Sequence, residues 1–230
     1  MTTTQPSLII TIFNRLKGAS IVFLVLWIAL IVYALFLAPP IQPSTLATII
    51  QMLTFNLQGI NPLVFAIFNL MAVWPLIYAG VILIDSKGQK IPAWPFALLS
   101  FGTGAFAILP YMVLRKPNRE FTEDNKDLII RIVDSRYYGI ILLIITVGLV
   151  LYGVLLGNFA AFFTQFLTDR FIAVMTLDFI ILTVCIPYLI FDDMKRRISY
   201  TPRLFWTFTL IPLLGPALYL ATRPTLPDAN

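Results

Sequence analysis

One carboxylate lies inside a long apolar stretch of this sequence. Asp178 is the one charged residue in segment 171–191, which reaches the length of roughly 20 residues that a transmembrane helix needs. At about 1.5 Å of rise per residue it lies roughly 12 Å from Arg170, away from the centre of a bilayer. A carboxylate at this depth is costly and suggests a proton or substrate site. The alternative is a structural clamp that is protonated or bonded to a neighbouring helix.

A charged cuff follows the same apolar segment. Its members are Asp192, Asp193, Lys195, Arg196 and Arg197. Basic residues directly after a membrane span usually fix its topology and contact lipid headgroups, so we expect an anchor here. Docking of a partner protein is the alternative. The cuff reads DDMK rather than the DDxxD that holds magnesium diphosphate, so metal-assisted isoprenoid chemistry is poorly supported.

Histidine is absent from all 230 residues, and Cys185 is the one cysteine. These facts exclude His-ligated haem, most zinc sites and Ser-His-Asp catalysis, together with any disulfide within the chain. We therefore expect no cofactor and no metal site, and we interpret Cys185 as a packing residue. The net charge of +5 comes from residues that flank apolar segments rather than from one basic face. Nucleic acid is accordingly not an expected partner.

The composition indicates a membrane protein. The chain is 59% hydrophobic and 12% charged, whereas soluble globular proteins carry about 25% charged residues. We predict an all-α integral membrane protein with six transmembrane helices, at 19–37, 62–84, 93–114, 137–156, 171–191 and 204–221. Two shorter segments, 45–57 and 158–170, have the mixed pattern of helices that lie in the membrane interface.

The two halves of the sequence resemble each other. Each has a helix with an early polar residue, Asn69 or Asp178, then a charged turn beginning with Asp, and a last helix that ends in a basic residue and proline. We predict two similar three-helix units, 1–117 and 137–230, joined by a charged connector at 118–136. Three spans per unit would invert the second half, as in inverted-repeat transporters. Asn69 and Asp178 would then lie near opposite faces, which counts against a shared site.

The distribution of Lys and Arg predicts the orientation of the six spans. It places the loops 115–136 and 192–203 in the cytoplasm or stroma and both termini outside, although Arg15 and Lys17 disagree with this. If segment 45–57 crossed the membrane, the N-terminus would join the cytoplasmic side. The 115–136 loop carries both signs of charge. It is either a solvated connector with an interfacial helix or a docking surface for another protein.

Four features follow one another between residues 137 and 224: an aromatic interfacial segment, an Asp early in the next helix, an Arg-Arg cuff, and a last helix that ends in L-Y-L-x-x-R. In this chain they are Phe166, Leu167, Asp178, Arg196, Arg197, Gly215, Tyr219 and Arg223. This pattern resembles a family of small bacterial three-helix membrane proteins that carry a domain of unknown function. The first half, with FNLMAVWPLIYAGVILIDSKGQK, is similar to cyanobacterial and plastid membrane proteins of the same type. The resemblance implies a helical fold in a thylakoid or bacterial plasma membrane, and it brings no catalytic residue.

Three functions are open to such a chain. A non-catalytic accessory or assembly partner of a larger, thylakoid membrane complex agrees best with the lack of His and of cofactor motifs. Its contacts would be the lipid bilayer and a protein complex held by the 115–136 loop. A small inverted-repeat transporter or carrier using Asp178 agrees with the Pro-interrupted helices. An enzyme acting on a lipid or isoprenoid would need convergent acid–base groups, and it is the least supported.

Overall fold

A computed structural model describes residues 18–87, 89–116 and 127–226, and these residues form helices without any strand. In chain order the helices are α1 (Gly18–Val32, continued by a π-helical turn, Tyr33–Leu37), α2 (Thr45–Leu53), α3 (Pro62–Asp85), α4 (Trp94–Thr103), α5 (Ala105–Leu114), α6 (Leu128–Asp134), α7 (Arg136–Leu156), α8 (Phe159–Thr168), α9 (Arg170–Arg196), α10 (Pro202–Thr209) and α11 (Leu214–Thr222). The prediction of an all-α protein is therefore confirmed for the described residues.

Four helices in the described part of the chain are long and apolar enough to cross a membrane. They are α1 with its π-helical turn, α3, α7 and α9, with lengths of 20, 24, 21 and 27 residues. Their starts are set by polar caps: the side chain of Asn61 accepts from the backbone N–H of Leu63, and Asp169 caps α9 in the same way. Such helices are compatible with a membrane location and with contact with a lipid bilayer.

The predicted third and sixth spans are each divided into two short helices. Gly104, with φ of 52°, separates α4 from α5, and Leu213, with φ of 62°, precedes α11. The α4–α5 pair folds back on itself, because the Phe96 ring near its start lies 5.7 Å from the Tyr111 ring near its end. Six spans are thus not confirmed, since these segments turn where a span would continue.

Helices α3 and α9 run in the same direction. Three contacts follow one another along both helices: the Phe68 and Phe171 rings at 6.2 Å, the Tyr78 hydroxyl donating to the Leu182 carbonyl at 2.7 Å, and an ion pair from Arg196 to Asp85 at 3.0 Å. The expected inverted arrangement of these two helices is therefore wrong. The α4–α5 segment returns to the side where it starts, and among the described residues α7 is the one long helix between α3 and α9, so α9 starts at the same end as α3.

The core lies between these parallel helices and the two divided segments. Trp74 and Tyr78 of α3 are fully buried, and the Trp74 ring packs at 5.9 Å from Phe179 of α9. Helix α1 is attached to α5 by the indole N–H of Trp27, which donates to the carbonyl of Phe106 at 3.1 Å. Helix α7 approaches α11 closely at Gly139, where any side chain would overlap the backbone of α11.

The outer surface is apolar. On α1 the side chains of Val22, Val25 and Ile28 are at least half exposed, and α7 exposes Ile141 and other aliphatic residues in the same way. A water-soluble domain would bury such faces, so their exposure agrees with contact with lipid.

Candidate functional site

Two polar centres lie within this apolar body. The first is an ion-pair cluster at the end of the molecule where α3 and α9 both finish, which we call the charged end. Its members are four aspartates and four arginines: Asp85, Asp134, Asp192, Asp193, Arg115, Arg196, Arg197 and Arg223. The second is a cavity that contains Asp178.

The first part of the cluster is built on Asp85, the last residue of α3. The guanidinium of Arg115 donates to its carboxylate at 2.9 Å, and the hydroxyl of Tyr111 donates to the same oxygen at 2.9 Å. Arg196 of α9 pairs with the other oxygen at 3.0 Å, and Arg115 also pairs with Asp192. These bonds hold the end of α5 against the ends of both long helices.

The second part repeats this arrangement on Asp193. Tyr219 donates its hydroxyl to the Asp193 carboxylate at 2.7 Å, and Arg223 donates to the same oxygen at 3.0 Å. In both parts the tyrosine follows its aspartate by 26 positions and the arginine follows it by 30 positions. Each arginine directly follows the last residue of its short helix. The two short helices α5 and α11 are therefore tied back to the charged end by the same set of bonds.

Among the described residues, the cluster has equal numbers of acidic and basic side chains, and it is buried. Asp193, Arg196 and Arg115 are each at most 5% exposed. Burying ions is expensive, and the cost is offset here because Asp85, Asp134 and Asp193 each meet more than one donor. Burial, followed by the charge of Asp85, raises the pKa of Tyr111, and burial followed by the charge of Asp193 raises the pKa of Tyr219. Both hydroxyls therefore remain protonated donors at physiological pH.

The expected lipid-headgroup anchor is wrong for most of the cuff. Asp192, Asp193, Arg196 and Arg197 are at most 5% exposed, because the arginines face carboxylates rather than lipid. Lys195 is the exposed member of these five described residues, and its ammonium lies 4.5 Å from the centre of the Phe191 ring. The headgroup interpretation therefore applies to Lys195 at most.

The cavity measures about 810 Å³ and lies between α3, α9 and the turn that joins α4 to α5. Asn69 and Asp178 both line it, so the expectation that they lie near opposite faces is wrong. The reason is the parallel course of α3 and α9. Residues that occupy similar places along two parallel helices come to the same level, and here they face one space.

Asp178 is held by the break between α4 and α5. Its Oδ1 accepts from the backbone N–H of Ala105, the first residue of α5, at 2.6 Å. Gly104 has φ of 52°, and a Cβ on it would overlap the Asp178 carboxylate. Only glycine combines this backbone angle with so close an approach. The carboxylate therefore lies at the N-terminal end of α5, where the first backbone N–H groups of a helix have no partner within the helix.

Sequence reasoning identified Asp178, Asn69 and the cuff but missed Arg115, Asp134 and Gly104. The sequence does contain a signal for Arg115, because the Asp-x25-Tyr-x3-Arg spacing that includes it occurs twice. In this pattern the counterpart of Asp85 is Asp193, the second residue of the charged turn in the second half, and not Asp192, with which that turn begins. The residue types around Gly104 give no comparable signal for a turn.

Most of the predicted docking loop, residues 117–126, lies outside the described residues. Directly after these residues, Asp127 accepts a hydrogen bond from Lys87, which follows α3, at 2.6 Å. This hydrogen bond lowers the pKa of Asp127. Among the described residues, no group of three or more His, Cys, Asp and Glu side chains is placed to hold a metal ion.

Comparisons with known proteins identify no relative. No protein-family model matches the chain, and no curated protein or solved structure matches it.

Proposed function

We propose that the chain is an integral membrane protein with four transmembrane helices and two re-entrant hairpins, α4–α5 and α10–α11. Both hairpins start at the charged end and are bonded back to it by Arg115 and Arg223. Discontinuous helices of this kind occur in membranes where irregular backbone is enclosed by protein or lines a cavity. The matching Asp-Tyr-Arg patterns support duplication of the unit, with 1–117 and 137–230 as the halves.

This topology agrees with the positive charges. Of the Lys and Arg residues that the structure describes, Arg170 lies at the end opposite the charged end, and the others belong to segments at the charged end. Arg15 and Lys17, which disagreed with six spans, agree with four. By the positive-inside rule the charged end is cytoplasmic or stromal, with both termini on that side.

We further propose that the protein binds and carries a small amphipathic molecule in the Asp178 cavity. The shared cavity of Asn69 and Asp178 carries this proposal, because their expected separation counted against a shared site. The volume of about 810 Å³ falls within the roughly 300–1,000 Å³ of small-molecule sites. A buried carboxylate that lies at membrane depth and faces an open cavity is a feature of substrate pathways.

The test is to purify the protein in mild detergent and to identify bound small molecules by mass spectrometry. Ala72 lines the cavity and Ala160 does not, so Ala72→Phe fills the site and Ala160→Phe is the matched control. We expect one compound to be retained by the wild type and by Ala160→Phe, and to be lost from Ala72→Phe. Recovery of bulk membrane lipid in equal amounts from all three would reject the proposal.

A second function is an accessory or assembly partner of a larger membrane complex. Helix α6 favours it, because Leu128, Ile129 and Ile132 are each more than half exposed on one side of a short helix at the charged end. The resemblance to cyanobacterial proteins would make this a thylakoid complex. A native pull-down tests this function: subunits of one complex should co-purify in fixed proportion and be lost after charge replacement in 119–127. A protein that runs alone would reject it.

An enzyme acting on a lipid or isoprenoid remains the least supported function. Acid–base catalysis needs groups that can reach a substrate, but Asp85, Asp192 and Asp193 are buried against arginines.

A further inference from the structure

We propose that the ligand of the Asp178 cavity is an uncharged molecule with an apolar body and a hydroxyl headgroup that donates a hydrogen bond. This inference rests on the binding function proposed above and names its ligand class. It follows from the way in which the polar groups of the cavity wall use their own hydrogen atoms.

Three polar side chains of the wall donate a hydrogen atom to their own helices. The amide nitrogen of Asn69 donates one of its two N–H groups to the Phe65 carbonyl at 2.9 Å. The hydroxyl of Ser100 donates to the Ala97 carbonyl at 2.7 Å, and that of Thr103 donates to the Leu99 carbonyl at 2.9 Å. The oxygen atoms of all three therefore act as acceptors toward the cavity, whereas the hydroxyl of Thr45, which lines the cavity without a partner among the described residues, can donate to the ligand's oxygen.

Asp178 adds the strongest acceptor. The residue is 5% exposed, its Oδ1 accepts from the N–H of Ala105, and its Oδ2 has no hydrogen-bond partner within the described ranges. Because Asp178 lines the cavity, a donor on the ligand would supply this oxygen with a hydrogen bond that the described residues do not give it. A ligand whose polar group only accepts, such as a ketone, an ester or a carboxylate, would make no hydrogen bond to it.

The surrounding charges favour a neutral donor over an ammonium ion. Asp178 already faces the positive end of α5 through Ala105, and Arg170 lines the same cavity roughly 12 Å along α9. The guanidinium of Arg170 donates to the Pro39 carbonyl at 2.8 Å, so its position is fixed. An ammonium group would meet both positive features, whereas a hydroxyl donates its hydrogen bond without adding charge.

The remaining wall suits an apolar chain. It is formed by aromatic and aliphatic side chains of α3, α4 and α9, among them Phe68, Met71, Phe101, Val174 and Met175. The Asp178 end of the cavity would receive the hydroxyl, and the body of the molecule would lie along α3 and α9.

The experiment uses the full-length protein in lipid nanodiscs and a long-chain primary alcohol that carries a diazirine in its chain. We expect photolabelling of peptides from α3 or α9. Unlabelled alcohol should compete about tenfold better than its methyl ether, the ratio that corresponds to one hydrogen bond to a charged acceptor. The long-chain amine should compete less well than the alcohol.

Variants of the cavity wall test which side chains accept the hydrogen bond from the ligand's hydroxyl. In Asp178→Asn the carbonyl can keep the bond to Ala105, which leaves an N–H facing the cavity, so affinity for the alcohol should fall about tenfold. Thr103→Val should weaken binding, whereas Thr176→Val, which loses an equivalent hydroxyl bonded to its own helix outside the cavity, should not.

The outcomes separate this inference from the binding function. Equal competition by ether and alcohol, or equal affinity in Asp178→Asn, would overturn the hydroxyl assignment while cavity binding stands. Stronger competition by the amine would overturn the choice of a neutral ligand. Labelling that avoids the cavity peptides would overturn the proposed binding function itself.

Discussion

At the scale of single residues, the same side-chain type serves two different purposes in this protein. The aspartates of the charged end pair with arginines, and these ion pairs fix the helix ends. Asp178 meets a backbone N–H and a cavity instead, and one of its oxygens is left for a ligand. The two centres should therefore respond differently to mutation: the ion-pair cluster in stability, and Asp178 in binding.

Arg196 and Lys195 offer a direct comparison because they are neighbours in the sequence. Arg196 pairs with Asp85 and Asp193, whereas Lys195 is exposed. Removing one partner of a buried ion pair leaves an uncompensated charge, so Arg196→Met should lower stability by about 3–5 kcal/mol. Lys195→Met should change it by less than about 1 kcal/mol. Thermal unfolding in detergent measures both, and equal effects would contradict the burial of the cluster.

The tyrosines make a second prediction. Tyr219→Phe removes a hydroxyl that donates to buried Asp193, so we expect a loss of about 1.5–3 kcal/mol. Tyr200 is exposed, and its ring packs against Phe191 without a hydrogen bond from its hydroxyl in the described part of the chain, so Tyr200→Phe should be nearly neutral. Because burial and Asp193 raise the pKa of Tyr219, the difference between the variants should not change between about pH 6 and pH 9. A difference that disappears toward pH 9 would contradict this assignment.

At the scale of elements, the break between α4 and α5 decides the shape of the cavity. The turn at Gly104 brings the first N–H of α5 to Asp178 and sends α5 back to the charged end, where Arg115 holds it. A continuous helix through this segment would remove both contacts. The hairpin is thus the element that links the ion-pair cluster to the cavity.

Gly104 in the turn and Gly102 in the last part of α4 provide a matched test. Gly104→Ala combines an unfavourable φ with an overlap on the Asp178 carboxylate, and it should destabilise the protein by at least about 1–2 kcal/mol. Gly102 has open space around its Cα, so Gly102→Ala should be neutral or slightly stabilising. Melting temperatures in detergent and retention of the bound compound measure the effect. A Gly104→Ala protein with wild-type stability would mean that this turn is not needed.

At the scale of the whole molecule, the sequence allows a good prediction of the long helices and a poor one of their arrangement. All four long helices begin within one residue of their predicted starts, because uninterrupted apolar length is a strong signal. Segments 93–114 and 204–221 are equally apolar, and their breaks depend on the backbone at Gly104 and Leu213. Pro212 indicates an interruption before Leu213, but a proline also occurs at simple kinks, and leucine is not a residue type that predicts a positive φ.

The functional residues show the same limit. Asp178 could be found because a charge in an apolar run is conspicuous. The role of the cuff could not be predicted, because its partners are distant in the sequence. Asp85 reaches it through the parallel course of α3 and α9, Arg115 through the return of the α4–α5 hairpin, and Asp134 from the end of α6. The meeting of Asn69 with Asp178 depends in turn on the parallel course of α3 and α9.

The central claim is that the α4–α5 segment returns to the charged end instead of crossing the membrane, and single-cysteine labelling tests it directly. In a Cys185→Ala background, the exposed residues Lys90, Lys116 and Thr164 would be replaced by cysteine one at a time. A membrane-impermeant maleimide, added to intact cells or to inverted vesicles, then reports the side of each position. The account predicts that Lys90→Cys and Lys116→Cys label from the same, cytoplasmic side, and that Thr164→Cys labels from the other. Labelling of positions 90 and 116 from opposite sides would show that the segment crosses, and it would contradict both the hairpin and the cavity that depends on it.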